Sequence, residues 1–317
     1  MSDKNTVEAN IEAGEADKKN YDLGSINDQV SMFRDKLEID DIKDRVEAHV
    51  EYIVCQHGLE KYFVVLLFDQ YKSIAEFHSN KIYRSIAHLD GKKDILMFIE
   101  SSGGQIEPAY LISKTCKRLA KKKFSVAIAR RAKSAATLIS LGASEIHMGL
   151  LSELGPIDPQ FGGFPALGLA NAVEKIAEMT ERIPSASDML AKYLTNNVSI
   201  RDLGYFERIN ESAAQYAIRL LNGKSLPDGQ TCETLAGHFT NHYKDHGFVI
   251  DSDEASELLG REIIKEGTPE YQAANEIYEF LYFIDFLFGL FKEQNIRYVG
   301  EIRTGFDVFD KNKQPNN

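Results

Sequence analysis

The 317-residue chain has no tryptophan and only three cysteines, Cys55, Cys116 and Cys232, far apart and with no CxxC pair among them. That spacing excludes a zinc ribbon and a disulfide framework, and it fits a reducing compartment. The opening residues, MSDKNTVEANIEAGEADKK, hold no apolar core of the kind a secretory signal needs. The most apolar late stretch, FLYFIDFLFGLF over 280–291, is too short for a membrane span and carries Asp285. Neither a GxxxxGK(S/T) phosphate loop nor an HExxH pair occurs. Positive charge is in deficit, 37 Lys and Arg against 48 Asp and Glu, and the formal net charge of −11 argues against a general nucleic-acid binder. A cytoplasmic protein with no nucleic-acid partner is therefore expected.

What is present divides along the chain. Residues 1–25 are polar, acidic and without period, and read as a disordered tail. Residues 26–60 show apolar spacing typical of helices. KYFVVLLF (61–68), DILMFIE (94–100), FSVAIA (124–129) and EIHMG (145–149) read as strands, with helices over HSNKIYRSIAHL, 108–123 and 135–143 between them. Strand and helix alternate with short connections, the pattern of a parallel sheet in an α/β fold. Functional residues of such sheets gather at the carboxyl ends of the strands. Beyond SELGPIDPQ (152–160) the pattern is helical, with candidate helices near 169–182, 186–195, 203–222, 230–244, 252–260 and 268–293.

Two motifs fall at strand ends. Ser101-Ser102-Gly103-Gly104 follows the second strand, and Ser134 follows the third in RRAKSAATLISLGASEIHMG (130–149). Acyl transfer needs an exposed hydroxyl at a tight corner, two amides aimed at the developing oxyanion, and a base. Gly103 and Gly104 let backbone amides approach a substrate with no Cβ in the way. Ala135, opening a helix, has an amide left free by helix geometry. From the residues alone two readings stand: a helix cap with a turn, or a nucleophile with its oxyanion hole.

The order MFIESSGGQIEPAYLI, RAKSAATLISLGASEI, MGLLSELGPIDPQ resembles the Clp protease/crotonase superfold, well over about residues 60–165 and again at DHGFVIDSDEASELLG (245–260). Within it the chain is most similar to the serine dehydrogenase proteinase family, related to signal peptide peptidase A. The resemblance implies a repeated ββα superfold with added N- and C-terminal helices. It places a serine hydrolase domain over 61–265 and a C-terminal helix and tail over 266–317. It further implies that Ser134 is the nucleophile and that the Gly104 and Ala135 amides form the oxyanion hole. Gly103 and Asp158 fall where a substrate would be bound.

The base departs from the Clp pattern. Where the Clp protease has its histidine this chain has Pro159, flanked by Asp158 and Gln160. Signal peptide peptidases use a lysine, which must be desolvated to act near pH 7. Lys175, 41 residues after Ser134, is the first candidate, Lys192 the second, and His246 the alternative. His238, His242 and His246 are spaced by four, but with no carboxylate at ligand spacing no metal is expected. No cofactor is implied.

Between Glu107 and Glu145 there is no acidic residue but there are nine Lys or Arg, read first as a solvated face and second as a steering patch for an acidic peptide or lipid head-group. The expected function is peptide-bond cleavage on a peptide or protein substrate by a homo-oligomer, with a separate unfoldase or membrane partner. Two other readings compete: a Clp-like scaffold without turnover, and a crotonase-like enzyme acting on an acyl thioester.

Overall fold

The apolar runs without helical period become the centre of one sheet. In the computed structural model, which describes residues 20–161, 164–197 and 199–311, β1 (Tyr62–Phe68), β2 (Asp94–Ser101), β3 (Phe124–Ala132) and β4 (Glu145–Met148) lie side by side in parallel. The side chains alternate between two cores: Val65, Leu67, Ile95, Met97, Val126 and Ile128 face one, while Val64, Leu66, Leu96, Phe98 and Ala127 face the other. Burial of both faces explains why these strands read as continuous apolar runs and not as alternating ones.

Helices cover each face. On the first lie α3 (Glu76–Ile86), α4 (Ile106–Leu119) and α5 (Ala135–Leu141), with α8 (Ile200–Leu221) against α4 and α5. On the second lie α1 (Ile26–Arg34), α2 (Ile39–Gln56) and α11 (Pro269–Phe291). The short strand β5 (Glu153–Leu154) pairs with β3, β6 (Gln160–Phe161) pairs with β7 (Phe164–Pro165), and β8 (Ile264–Glu266) closes the sheet beside β4. The remaining helices are α6 (Ala166–Arg182), α7 (Ser187–Asn197), α9 (Cys232–Gly237) and α10 (Ser252–Leu259). This is a Clp/crotonase-like α/β architecture.

Several elements differ from the sequence expectation. The helix expected over 108–123 stops at Leu119, because the Lys122 and Lys123 amides donate to Asp94 Oδ1 at 2.7 and 2.9 Å and tie that stretch to the sheet. The helix expected over 230–244 ends at Gly237 and continues as a π turn over His238–His242. Residues 266–317, expected as a helix and tail, add a hairpin to the sheet: β9 (Gln294–Glu301) runs antiparallel to β1, and β10 (Phe306–Asp310) to β9. The polar residues of QNIRYVGE masked that strand, yet Ile296, Tyr298 and Val299 are fully buried. The expected tail over 1–25 falls outside the described residues up to 19; beyond it Tyr21 and Leu23 are buried under the second core. Among the described residues no helix is long and apolar enough to cross a membrane.

His147 on β4 is buried below the start of α11. Its Nδ1 lies 2.9 Å from the Thr268 hydroxyl, and its Nε2 is buried with no hydrogen-bond partner among the described residues. Burial holds its pKa below the ordinary histidine value, against the pull of Glu270 and Glu145. The unfolded chain therefore takes the proton first as pH falls, so the stability tied to His147 is complete above about pH 6.5 and is lost below it. Asparagine there keeps an acceptor for Thr268 and does not titrate. Denaturant unfolding at pH 7.5 and pH 5 is expected to show a smaller loss for His147→Asn than for the wild type, by on the order of 1 kcal/mol; equal losses contradict this assignment.

Candidate active site

Three loops leave the carboxyl ends of adjacent strands and pack on one another. The loop after β2 turns at Gly103, with φ 103°, and Gly104, with φ 152°. Gly103 accepts from the Ile74 amide at 2.8 Å, and the Gln105 amide donates to Ile74 at 2.8 Å. In this parallel bridge the two bonds come from the residues flanking Gly104. The N–H of Gly104 consequently points away from Ile74. A Cβ on Gly104 would lie 2.3 Å from the Ile74 nitrogen, so only glycine fits so close an approach.

The chain leaving β3 meets this loop. The Lys133 amide donates to the Ser101 carbonyl at 3.1 Å, and Ser134 follows with φ 51° and ψ −118° before α5 begins at Ala135. A Cβ on Gly103 would sit 2.6 Å from Ser134 Cβ and 3.2 Å from the Ala135 nitrogen. The two loops are thus in direct contact through the missing side chain of Gly103. Ser134 is at the N-cap position, but it lacks the extended backbone of a capping serine and makes no side-chain cap bond. Its hydroxyl is thus not engaged in capping α5.

The helix behind Ser134 is locked. Every residue of α5 is buried. Thr137 Oγ1 donates to Ala132 at 2.6 Å and accepts from the Gly155 amide at 2.9 Å, and Ser113 Oγ donates to Ile139 at 2.8 Å. The Lys224 amine donates to the Ala143 carbonyl just beyond the helix. Burial, with the nearby charge of Lys117, lowers its pKa to about 7. A backbone of this kind, with positive φ on a non-glycine residue, persists only where its surroundings over-determine it.

Lys133 turns away from Ser134. Its amine pairs with Glu153 at 2.8 Å and donates to the carbonyls of Phe248 at 2.8 Å and Gly247 at 3.3 Å. It fastens the 245–250 segment beside the serine corner, helped by the bridge between Leu154 and Ile250 and by the Ile157 amide bonded to Phe239 at 2.9 Å. On that frame His246 Nδ1 lies 2.7 Å from Asp158 Oδ1, and the other Asp158 oxygen accepts from Gln160 Nε2 at 2.7 Å. Asp158 is buried, whereas the His246 side chain is 30% exposed. Among the described residues no hydrogen bond joins Ser134 Oγ to a base.

The two candidate lysines are both exposed on helices. Lys175 is on α6, its side chain 69% exposed and paired with Glu178 at 2.8 Å. Its hydrogen bond to that carboxylate raises its pKa, the opposite of what a neutral base requires. Lys192 is exposed on α7. Sequence reasoning named Asp158 and His246 separately but not as a pair, since 88 residues separate them and no local pattern links them. The part played by Ile74 in holding Gly103 and Gln105 also left no sequence signal. Among the described residues no group of His, Cys, Asp and Glu is arranged to hold a metal.

The family model of ClpP-like SDH-type serine proteinases matches residues 28–198. Two uncharacterized proteins of Methanocaldococcus jannaschii are similar: one is 36% identical over 105 residues, 33% of this chain and 36% of the relative, and the other 33% identical over 114 residues, 35% and 39%. The chain therefore spans well under half the length of the curated relatives it matches. A solved membrane-bound stomatin-specific protease mutant in complex with a substrate peptide is 14% identical, covering 80% of this chain and 89% of its own, with a TM-score of 0.40.

The strain at Ser134 has a measurable sign. At an unstrained position glycine is less stable than alanine by about 0.5–1 kcal/mol. At Ser134 the order is expected to invert, with Ser134→Gly unfolding at higher denaturant than Ser134→Ala by about 1 kcal/mol. Alanine as the more stable variant would contradict a strained corner.

Proposed function

The chain belongs to the ClpP-like SDH-type serine proteinases, and from that premise we propose that it cleaves peptide bonds through an acyl-enzyme on Ser134. The observation that carries this reading is the serine itself, held at positive φ against Gly103 and capping nothing. Ser134 Oγ attacks the substrate carbonyl carbon and its proton passes to the base. The Gly104 and Ala135 amides, on the two loops that meet here, hold the oxyanion of the tetrahedral intermediate. Collapse expels the amine, which takes the proton back from the base, and water then hydrolyses the ester in the same way.

For the base, the pair of His246 and Asp158 has the better support. Asp158 at 2.7 Å orients the imidazole through Nδ1 and leaves Nε2 to exchange the proton with the serine. The order along the chain is then serine, aspartate, histidine, with the carboxylate beside the position where the Clp pattern has its histidine. A lysine base was the expectation from signal peptide peptidase A. In the single chain neither Lys175 nor Lys192 has the burial that a neutral amine near pH 7 requires. Either lysine would need a second chain or the substrate to cover it.

The substrate is a peptide or an unfolded protein, reached in a homo-oligomer and supplied by a separate unfoldase or membrane partner. Three free thiols, at Cys55, Cys116 and Cys232, suit a reducing cytoplasm. Hydrolysis of unfolded protein is expected to fall to background in Ser134→Ala. Both His246→Ala and Asp158→Asn are expected to lose about 100-fold or more in kcat/KM, and Lys175→Ala and Lys192→Ala less than about threefold. A large loss confined to a lysine variant transfers the base to that lysine. Equal turnover by Ser134→Ala and the wild type removes the nucleophile.

A further inference from the structure

A second histidine–aspartate pair lies under the other side of the site, wholly buried and unused by the mechanism above. Asp69 directly follows β1, its own amide bonded to the Glu100 carbonyl at 3.2 Å. Its Oδ1 accepts from the Tyr71 and Lys72 amides at 3.1 and 2.9 Å, and its Oδ2 lies 3.2 Å from His78 Nε2. On its other side the imidazole meets the Ala75 amide, at 3.1 Å from Nδ1. An amide can only donate, so Nδ1 accepts and the ring proton sits on Nε2, where the carboxylate receives it. Asp69 and His78 are 1% and 2% exposed, and nothing in solvent can replace either bond.

The segment these bonds fix is the one that carries Gly104. Ala75 follows Ile74, and Ile74 supplies both backbone bonds to the Gly103–Gln105 loop. The contact with Gly104 is so close that a shift of Ile74 passes directly to the glycine. Around the pair, the Tyr71 hydroxyl donates to the buried Asp285, and the Phe77 ring meets His78 edge-on at 5.3 Å. We propose that Asp69 and His78 are positioning residues for the oxyanion amide: Asp69 sets the tautomer of His78, His78 holds Ala75, and the Ile74–Gly104 bridge thereby aims the Gly104 N–H. The inference rests on the reading of Gly104 as an oxyanion donor.

The alternative is that His78 only caps α3, in the place where a capping box has Glu or Gln. Three substitutions separate the two. Asp69→Asn keeps an acceptor for the loop amides but turns an NH2 toward His78, forcing the proton to Nδ1 and two donors against each other at Ala75. His78→Leu fills the space of the ring but leaves both Asp69 Oδ2 and the Ala75 amide without a partner, whereas His78→Asn presents its oxygen where Nδ1 was. The readouts are the rate of fluorophosphonate labelling of Ser134 and the hydrogen exchange of the Ile74 and Gln105 amides, in the full chain well below its unfolding temperature.

Asp69→Asn and His78→Leu are expected to label about tenfold more slowly and to exchange about tenfold faster, with His78→Asn within roughly threefold of the wild type in both. Equal labelling in all four proteins, slow labelling with unchanged exchange, or His78→Asn as slow as His78→Leu overturns the inference and leaves the Ser134 reading intact. A folded wild type that does not label overturns that reading and the inference with it.

Discussion

Gly103 and Ser134 touch through an absent side chain, with no room for a methyl group between the loop after β2 and the corner after β3. Most other features of the site serve that contact. The parallel pairing of β2 with β3 brings the two strand ends level, and the Lys133 amide on the Ser101 carbonyl carries the pairing past the last ladder residue. Ile74 holds the glycine loop from one side, and a fully buried α5 holds the serine from the other. Packed interiors resist small displacements, so a corner strained by about 1–3 kcal/mol can be kept in place only by burial of this extent.

The same frame separates rigid parts from accessible ones. Ser134 makes no side-chain cap bond to α5, and His246 is partly open to solvent on a segment fastened by Lys133 and the Leu154–Ile250 bridge. Lys133 thus contributes as an anchor, while its neighbour in sequence occupies the corner. Two histidines on this frame are each bonded to a carboxylate from another part of the chain. Asp158 lies 2.7 Å from His246, and Asp69 lies 3.2 Å from His78.

How much was legible in the sequence follows from the range of each interaction. The four parallel strands were readable because both faces of the sheet are buried, and the boundary at Ser134 because a strand pattern gives way to small helix-forming residues. SSGG announced a turn through composition alone. The hairpin of β9 and β10 was hidden by polar residues such as Gln294, Asn295 and Arg297, which antiparallel strands tolerate better than parallel strands buried on both faces. The helix over 230–244 was interrupted by a π turn that no propensity marks. Pairings across 88 residues, such as Asp158 with His246, are properties of the assembled chain, and spacing does not encode them. The lysine expectation came from relatives and not from these residues; in this chain Lys175 has a carboxylate partner three residues away and no burial.

The central claim is that the corner at Ser134 makes one hydroxyl in the molecule chemically distinct. Intact-mass measurement after treatment with a fluorophosphonate tests it most directly, on the folded wild type and on Ser134→Ala. The account predicts a single adduct on the wild type and none on the variant. A folded wild type that takes no adduct, or a variant that takes the same one, would contradict it.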